Sequence, residues 1–176
     1  MNTPDIDWAA ITLFADITGP ALDKVKPIFE VRTLDAGEDL IREGEEGDEM
    51  FILIEGRVRI TKSMLLEGMH LPLLEMDSPR KVLATLDQSE YPLFGEIALM
   101  DRETRSATVR TLVPSRFLVT DRLRFFDFLE REPALGVRLF KRLARRMAAT
   151  IRRTNGEVVK LSTALALALS RYKTLG

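Results

Sequence analysis

Glu96 and Arg105, nine positions apart, frame the one stretch of the 176-residue chain whose chemistry can be read from residue types alone. The run Phe94-Gly95-Glu96-Ile97-Ala98-Leu99-Met100 sets a glycine before a short apolar helix. A glycine admits close backbone approach, and the first amides of a helix beginning near Glu96 have no intrahelical partner, so together they form an anion site. A phosphate suits it.

Arg105 opens a β-prone run over residues 107–113, after a polar turn, Asp101-Arg102-Glu103-Thr104, that folds the chain back on itself. The return brings a guanidinium to the anion that the helix start faces, and its planar fork spans two phosphate oxygens where a lysine would offer a point charge. Glu96 is repelled by phosphate, so its expected partner is a sugar hydroxyl. One phosphate and a free ribose 2′-hydroxyl close together describe a cyclic nucleotide.

At these residues the chain resembles the cyclic nucleotide-binding domain family, shared by bacterial catabolite-activator-type regulators, kinase regulatory subunits and cyclic nucleotide-gated channels. The likeness is to the phosphate-binding cassette, Phe-Gly-Glu-x-Ala-Leu-x ending in Arg-Ser-Ala-Thr-Val, here Phe94, Gly95, Glu96, Ile97 and Ala98 with Arg105, Ser106 and Ala107. The resemblance implies that Glu96 binds the ribose 2′-hydroxyl, Arg105 the cyclic phosphate, and the amides around Ile97, Ala98 and Ser106 the remaining phosphate oxygens. Ser106, directly after the cassette arginine, leans toward cAMP over cGMP, although its hydroxyl could also serve a guanine amino group. The ligand expected is cAMP or cGMP, with no further cofactor.

Upstream, Ala36-Gly37-Glu38, Ile41-Arg42-Glu43-Gly44-Glu45, Asp48-Glu49-Met50-Phe51-Ile52-Leu53 and Glu55-Gly56-Arg57-Val58 resemble the family's glycine-cornered strands. Their own pattern agrees, because short β-prone runs punctuated by Gly37, Gly44, Gly47 and Gly56 describe an antiparallel roll with tight corners. The expected fold is mainly β with flanking helices: an antiparallel β-roll (double-stranded β-helix, jelly-roll-like) with short N-terminal helices, a cassette helix and C-terminal helices. Residues 1–132 would form the roll with its N-terminal helices, and residues 133–176 a helical segment serving as hinge, dimerisation element or lid, with no separate output domain.

Composition excludes several classes. The chain has no cysteine, which excludes disulfides and thiolate metal sites, and its one histidine, His70, sits inside the 62–80 connection, so neither a histidine metal cluster nor a conventional catalytic triad is expected. That disfavours a cupin-like enzyme, whose similar roll normally carries several inward histidines, and no enzymatic activity is expected. No apolar run reaches the roughly 18 residues of a membrane span, and Met1 leads into Asp5 and Asp7 instead of a basic signal-peptide start. A cytoplasmic protein is expected.

Charge is uneven behind a net of −1. Residues 1–50 hold 13 acidic and 4 basic side chains, and residues 101–160 hold 15 basic and 7 acidic. Seven cations, Arg138, Lys141, Arg142, Arg145, Arg146, Arg152 and Arg153, fall on one helix expected after Pro133, with no acid between Ala134 and Asn155. They read either as a nucleic-acid surface or as a solvated face opposite an apolar seam. The seam favours the second, since Gly136, Phe140, Leu143, Met147, Thr150 and Thr154 recur at spacings of three and four, flanked by Leu139 and Ile151.

In the bacterial regulators this helix commonly pairs two subunits, so the resemblance implies a homodimer through residues 134–154. It also puts Thr150 where a helix threonine reaches the adenine, although a threonine on such a seam otherwise bonds its own helix. Those regulators follow with a helix-turn-helix of on the order of 60 residues. Here 22 residues follow Thr154, so DNA recognition is not expected. Asn155-Gly156 reads as a helix stop or kink, and the apolar tail beyond it as a second helix, buried against the roll, a second subunit or another protein. Residues 62–80 form an expanded, unusually apolar connection expected to pack or to meet a partner. The signal would pass to a protein target that the sequence does not identify. Also open is a member of the same fold that makes protein contacts and binds no nucleotide.

Overall fold

Glycine corners and alternating apolar residues turn residues 30–121 into two antiparallel four-stranded sheets. This computed structural model describes residues 6–64 and 80–174, with side chains to residue 170. One sheet has the order β1-β8-β3-β6, built from Glu30–Leu34 (β1), Ser115–Asp121 (β8), Glu49–Glu55 (β3) and Leu93–Phe94 (β6). The other has the order β2-β7-β4-β5, built from Asp39–Ile41 (β2), Thr108–Thr111 (β7), Arg57–Ser63 (β4) and Arg80–Asp87 (β5). The expected β-roll with flanking helices is the fold observed. The 62–80 connection falls, over residues 65–79 and so including His70, outside the described residues.

Period-two burial explains the layering. Phe51 and Leu53 of β3 join Ile41, Val58, Phe94, Val109, Phe117 and Val119 in one buried cluster drawn from both sheets. Met50 and Ile52, on the other face of β3, are buried as well, so this strand is apolar on both sides. Gly37, Gly44 and Gly56 take positive φ of 86°, 85° and 105°, as corners require. Gly47 does not; its role lies at the site.

The helices follow from capping and burial. Pro20–Val25 (α1) comes after an aromatic cluster in which Phe14 lies 5.3 Å, ring centre to ring centre, from both Trp8 and Phe29. Glu96–Asp101 (α2) starts at Gly95, and Ala98 and Leu99 bury it against β3. Arg122–Arg131 (α3) is capped by Asp121, whose carboxylate accepts from the Arg124 amide at 2.8 Å, and it buries Phe125 and Phe128. Gly136 lets the chain after α3 lie close to it, since a Cβ there would stand 2.9 Å from the Leu129 Cα.

Pro133–Thr174 (α4) is one unbroken helix of 42 residues, about 63 Å long at 1.5 Å per residue. This corrects the expected stop at Asn155-Gly156. Gly156 does not take the left-handed φ of a helix cap, and its cost of roughly 1 kcal/mol against alanine is small beside the Ala, Leu, Glu and Lys that flank it. The expected single seam is also corrected. Leu135, Gly136, Leu139 and Leu143 are buried, whereas Phe140 and Ile151 are 47% and 59% exposed, so two faces were merged in one pattern. The tail is helical to Thr174 as expected, but in the single chain its described side chains, to residue 170, are exposed, including Val158, Leu161, Leu165 and Leu169. The chain divides into two compact units, Met1–Gly136 and Val137–Gly176. Among the described residues no helix is long and apolar enough to cross a membrane.

Candidate functional site

The cassette is built at the meeting of the β2–β3 corner, the end of β6 and the start of β7. Gly95 takes φ 79° and ψ 4° as the N-cap of α2, and a side chain there would meet the Glu49 carbonyl oxygen at 2.5 Å. Both constraints select glycine. The first helical bond runs from the Leu99 amide to the Gly95 carbonyl at 3.1 Å, so the amides of Glu96, Ile97 and Ala98 belong to the turn that precedes it. Buried Ala98 and Leu99 anchor this turn, while Ile97 is 43% exposed.

Arg105 sits beside it and is 7% exposed. Its backbone is fastened on both sides, the amide donating to the Glu45 carbonyl and the carbonyl accepting from the Gly44 amide, each at 2.9 Å. Its Nη1 donates to the Glu49 carbonyl at 2.8 Å and lies 3.5 Å from the Gly95 carbonyl. Among the described residues both side-chain hydrogen bonds leave from Nη1, so Nη2 and Nε keep donors for a ligand. The guanidinium carbon stands 5.8 Å from the centre of the Phe51 ring. Burial pulls the Arg105 pKa below its ordinary value, against the opposing pull of the nearby Glu49 and Asp48 carboxylates. A buried cation held by carbonyl dipoles is a site that gains from an anion.

Several residues around the cassette have roles there that the sequence did not assign to them. A Cβ at Gly47 would stand 2.6 Å from Arg105 Nη2 and 2.7 Å from Nε, so this glycine supplies room for the fork. Glu49 is held by Arg32, whose two terminal nitrogens donate to its carboxylate at 2.6 and 3.0 Å, and the same residue's carbonyl receives Arg105. Lys62 Nζ donates to the Ser106 carbonyl at 2.7 Å, and Arg80 Nη1 to the Thr108 hydroxyl at 2.9 Å. Only the contact itself reveals them.

The structure thus brings together Phe94, Gly95, Glu96, Ile97 and Ala98 with Arg105, Ser106 and Ala107. Thr150 lies on α4, in the second unit, and is partly buried. An open concavity of about 420 Å³ lies elsewhere, lined by Leu34, Gly37, Glu38, Asp39, Arg42 and Arg110. It includes no cassette residue, and both of its arginines already bond Asp39. Among the described residues no cluster of His, Cys, Asp and Glu could hold a metal ion.

Residues 31–132, more than half the chain, match the cyclic nucleotide-binding domain family. The chain belongs to that family. The matched region is a cyclic nucleotide-binding regulatory domain and not a catalytic fold. Human cGMP-dependent protein kinase 2 is 37% identical over 100 residues, covering 57% of this chain and 12% of the kinase. The cAMP-dependent protein kinase regulatory subunit of Dictyostelium discoideum is 36% identical over 89 residues, 51% of this chain and 24% of the subunit. This cyclic nucleotide-binding chain therefore spans an eighth to a quarter of those relatives' length. In fold it is similar to the catabolite activator protein of Thermus thermophilus, with a TM-score of 0.70 at 24% identity over 86% of this chain and 63% of that one.

Proposed function

We propose that the chain is a cytoplasmic sensor of a cyclic nucleotide, cAMP in preference to cGMP, that signals through its C-terminal helices to a second subunit or a partner protein. The observation that carries this reading is Arg105, a buried arginine fixed by carbonyls and fitted around two glycines beside the first turn of α2. Arg105 binds the cyclic phosphate with the amides of Ile97, Ala98 and Ser106, and Glu96 takes the ribose 2′-hydroxyl. Phe94, Gly95 and Ala107 shape the backbone around it, and Thr150 is the residue that the family resemblance assigns to the base. Ser106 supports cAMP, whereas the two kinase relatives are named one for each nucleotide.

Ligand must bind one arrangement of the helices better than another for occupancy to be felt. Calorimetric titration of the nucleotide-free chain with cAMP and cGMP tests the reading. Saturable binding is expected, falling at least about tenfold in Arg105→Ala, because charge-assisted hydrogen bonds of roughly 1.5–3 kcal/mol each are removed. Absence of heat with both nucleotides would leave the roll as a protein-contact module.

The second subunit is supported by the surface of α4. Val137, Phe140, Ala144, Met147, Ile151, Thr154, Val158, Leu161, Leu165 and Ala168 follow one another at alternating spacings of three and four, and none is charged. Val137, Phe140, Ile151, Val158, Leu161 and Leu165 on this line are 47–61% exposed in the single chain. Three of the five alternate positions, Val137, Ile151 and Val158, are β-branched, and Phe140, Met147 and Leu161 are among the residues between them, an arrangement that favours a parallel two-stranded coiled coil. The homodimer proposed through residues 134–154 extends along this line to Ala168, with Arg138, Arg142, Arg145, Arg146, Arg152 and Arg153 off the seam.

A further inference from the structure

Arg122 occupies the first position of α3, where a cation opposes the positive end of its own helix. Its side chain serves another helix instead. Nη1 donates to the carbonyls of Leu99 and Met100, the latter at 2.8 Å, in the last turn of α2. That turn has no basic residue of its own, and its Ala98 carbonyl is already taken by the Arg102 amide at 3.1 Å. Arg122 therefore supplies both the donors and the positive charge that the end of α2 lacks. The same guanidinium stands 4.5 Å from the centre of the Phe126 ring, one turn further along α3, so its position is tied to α3 as firmly as to α2.

We infer that Arg122 is a positioning residue that passes the position of the cassette helix to α3. The inference rests on the nucleotide reading, because α2 is the element whose N-terminal turn meets the phosphate. α2 has only six residues, so a pull at its first turn displaces the whole helix, including the carbonyls that Arg122 holds. The covalent route from Met100 to Arg122 is longer and passes through β7 and β8, both paired in sheets. Arg122 bridges the two helices directly. At its far end α3 is tied to α1 by an ion pair, Lys24 Nζ to Glu132 Oε1 at 2.7 Å, and this exposed contact is weak enough to yield.

Hydrogen exchange of the full chain, with and without saturating cAMP or cGMP, tests the link in the wild type and in Arg122→Gln. In the wild type, ligand is expected to change exchange both at residues 95–106 and at residues 122–131. In Arg122→Gln the cassette response is expected to persist while the α3 response falls at least about threefold. An α3 response of wild-type size in the variant overturns the link. If neither nucleotide alters the wild-type cassette, the nucleotide reading fails on its own, and the ligand-free chains decide about Arg122. The variant should then exchange at least about threefold faster at the end of α2 and the first turns of α3, with β3 and β8 unchanged. Equal exchange, or acceleration spread evenly over the chain, overturns it. Should Arg122→Gln not fold, Arg122→Met, which keeps an unbranched stem but loses the donors and the charge, is read in the same way.

Discussion

Two glycines touch Arg105, and a methyl group would have opposite consequences at each. At Gly95 the added Cβ meets a backbone oxygen, Glu49 O, at 2.5 Å, and φ 79° is left-handed besides. Neither can relax without moving β3. Gly95→Ala should therefore destabilise the fold by about 2–3 kcal/mol, read as a lowered urea midpoint, and abolish nucleotide binding with it. At Gly47 the colliding atoms are the far end of a flexible side chain, and φ is not positive. The guanidinium can swing away. Gly47→Ala should leave the urea midpoint nearly unchanged and weaken nucleotide binding about tenfold by calorimetry, because the fork no longer faces the phosphate. Equal affinity in Gly47→Ala would show that the position of Arg105 seen here is not the one that binds.

Among the elements, β2 is the shortest partner in its sheet after which the cassette must be placed, with three residues and a register shift between Asp39 and Ile41. Side chains reinforce it: Asp39 pairs across the ladder with Arg110, whose Nε and Nη2 donate to its carboxylate at 2.6 and 3.0 Å, and Arg42 Nε adds a third bond at 3.1 Å. The Arg110 hydrogen bonds, with those of Arg42, hold the Asp39 carboxyl below the usual carboxylate range against the opposing effect of burial. A pKa lowered by folding stabilises above the unfolded value of about 3.9 and is lost as pH falls through the folded one. Asp39→Asn should thus cost about 1 kcal/mol at pH 7, given the exposed arginines, and the gap from wild type should narrow in urea titrations as pH falls below the unfolded value of about 3.9. A gap that persists in acid would assign the cost to packing. Elements of this kind were legible in the sequence where chemistry is local: the corners at Gly37, Gly44 and Gly56 and the glycine that starts α2. What stayed illegible depends on contact across the fold, as at Gly47, whose neighbour is 58 positions away, or on a balance of propensities, as at Asn155-Gly156, where strong helix formers on both sides outweigh a stop signal. The seam of α4 misled for a further reason. Its first turns bury one face and expose another, and both faces are apolar.

At the scale of the whole molecule, α4 is an apolar line that the single chain leaves uncovered, and adjacent residues on it distinguish what covers that line. Leu161 lies on the line of alternating threes and fours and is 61% exposed, while Val159 lies off it and is 64% exposed. For an isolated chain the two are equivalent, and an aspartate at either should change stability by no more than about 0.5 kcal/mol. For two chains paired in parallel they differ. A charge at position 161 faces its own copy in a desolvated seam, whereas a charge at position 159 stays in water. Sedimentation of the wild type should give a dimer, Leu161→Asp should shift it to monomer at micromolar concentration, and Val159→Asp should sediment as the wild type does. The thermal midpoint of the wild type should rise with concentration, and that dependence should vanish in Leu161→Asp, because dissociation and unfolding are linked by mass action. A monomeric wild type, or equal effects of the two aspartates, would remove the coiled coil and leave the apolar line to a different protein.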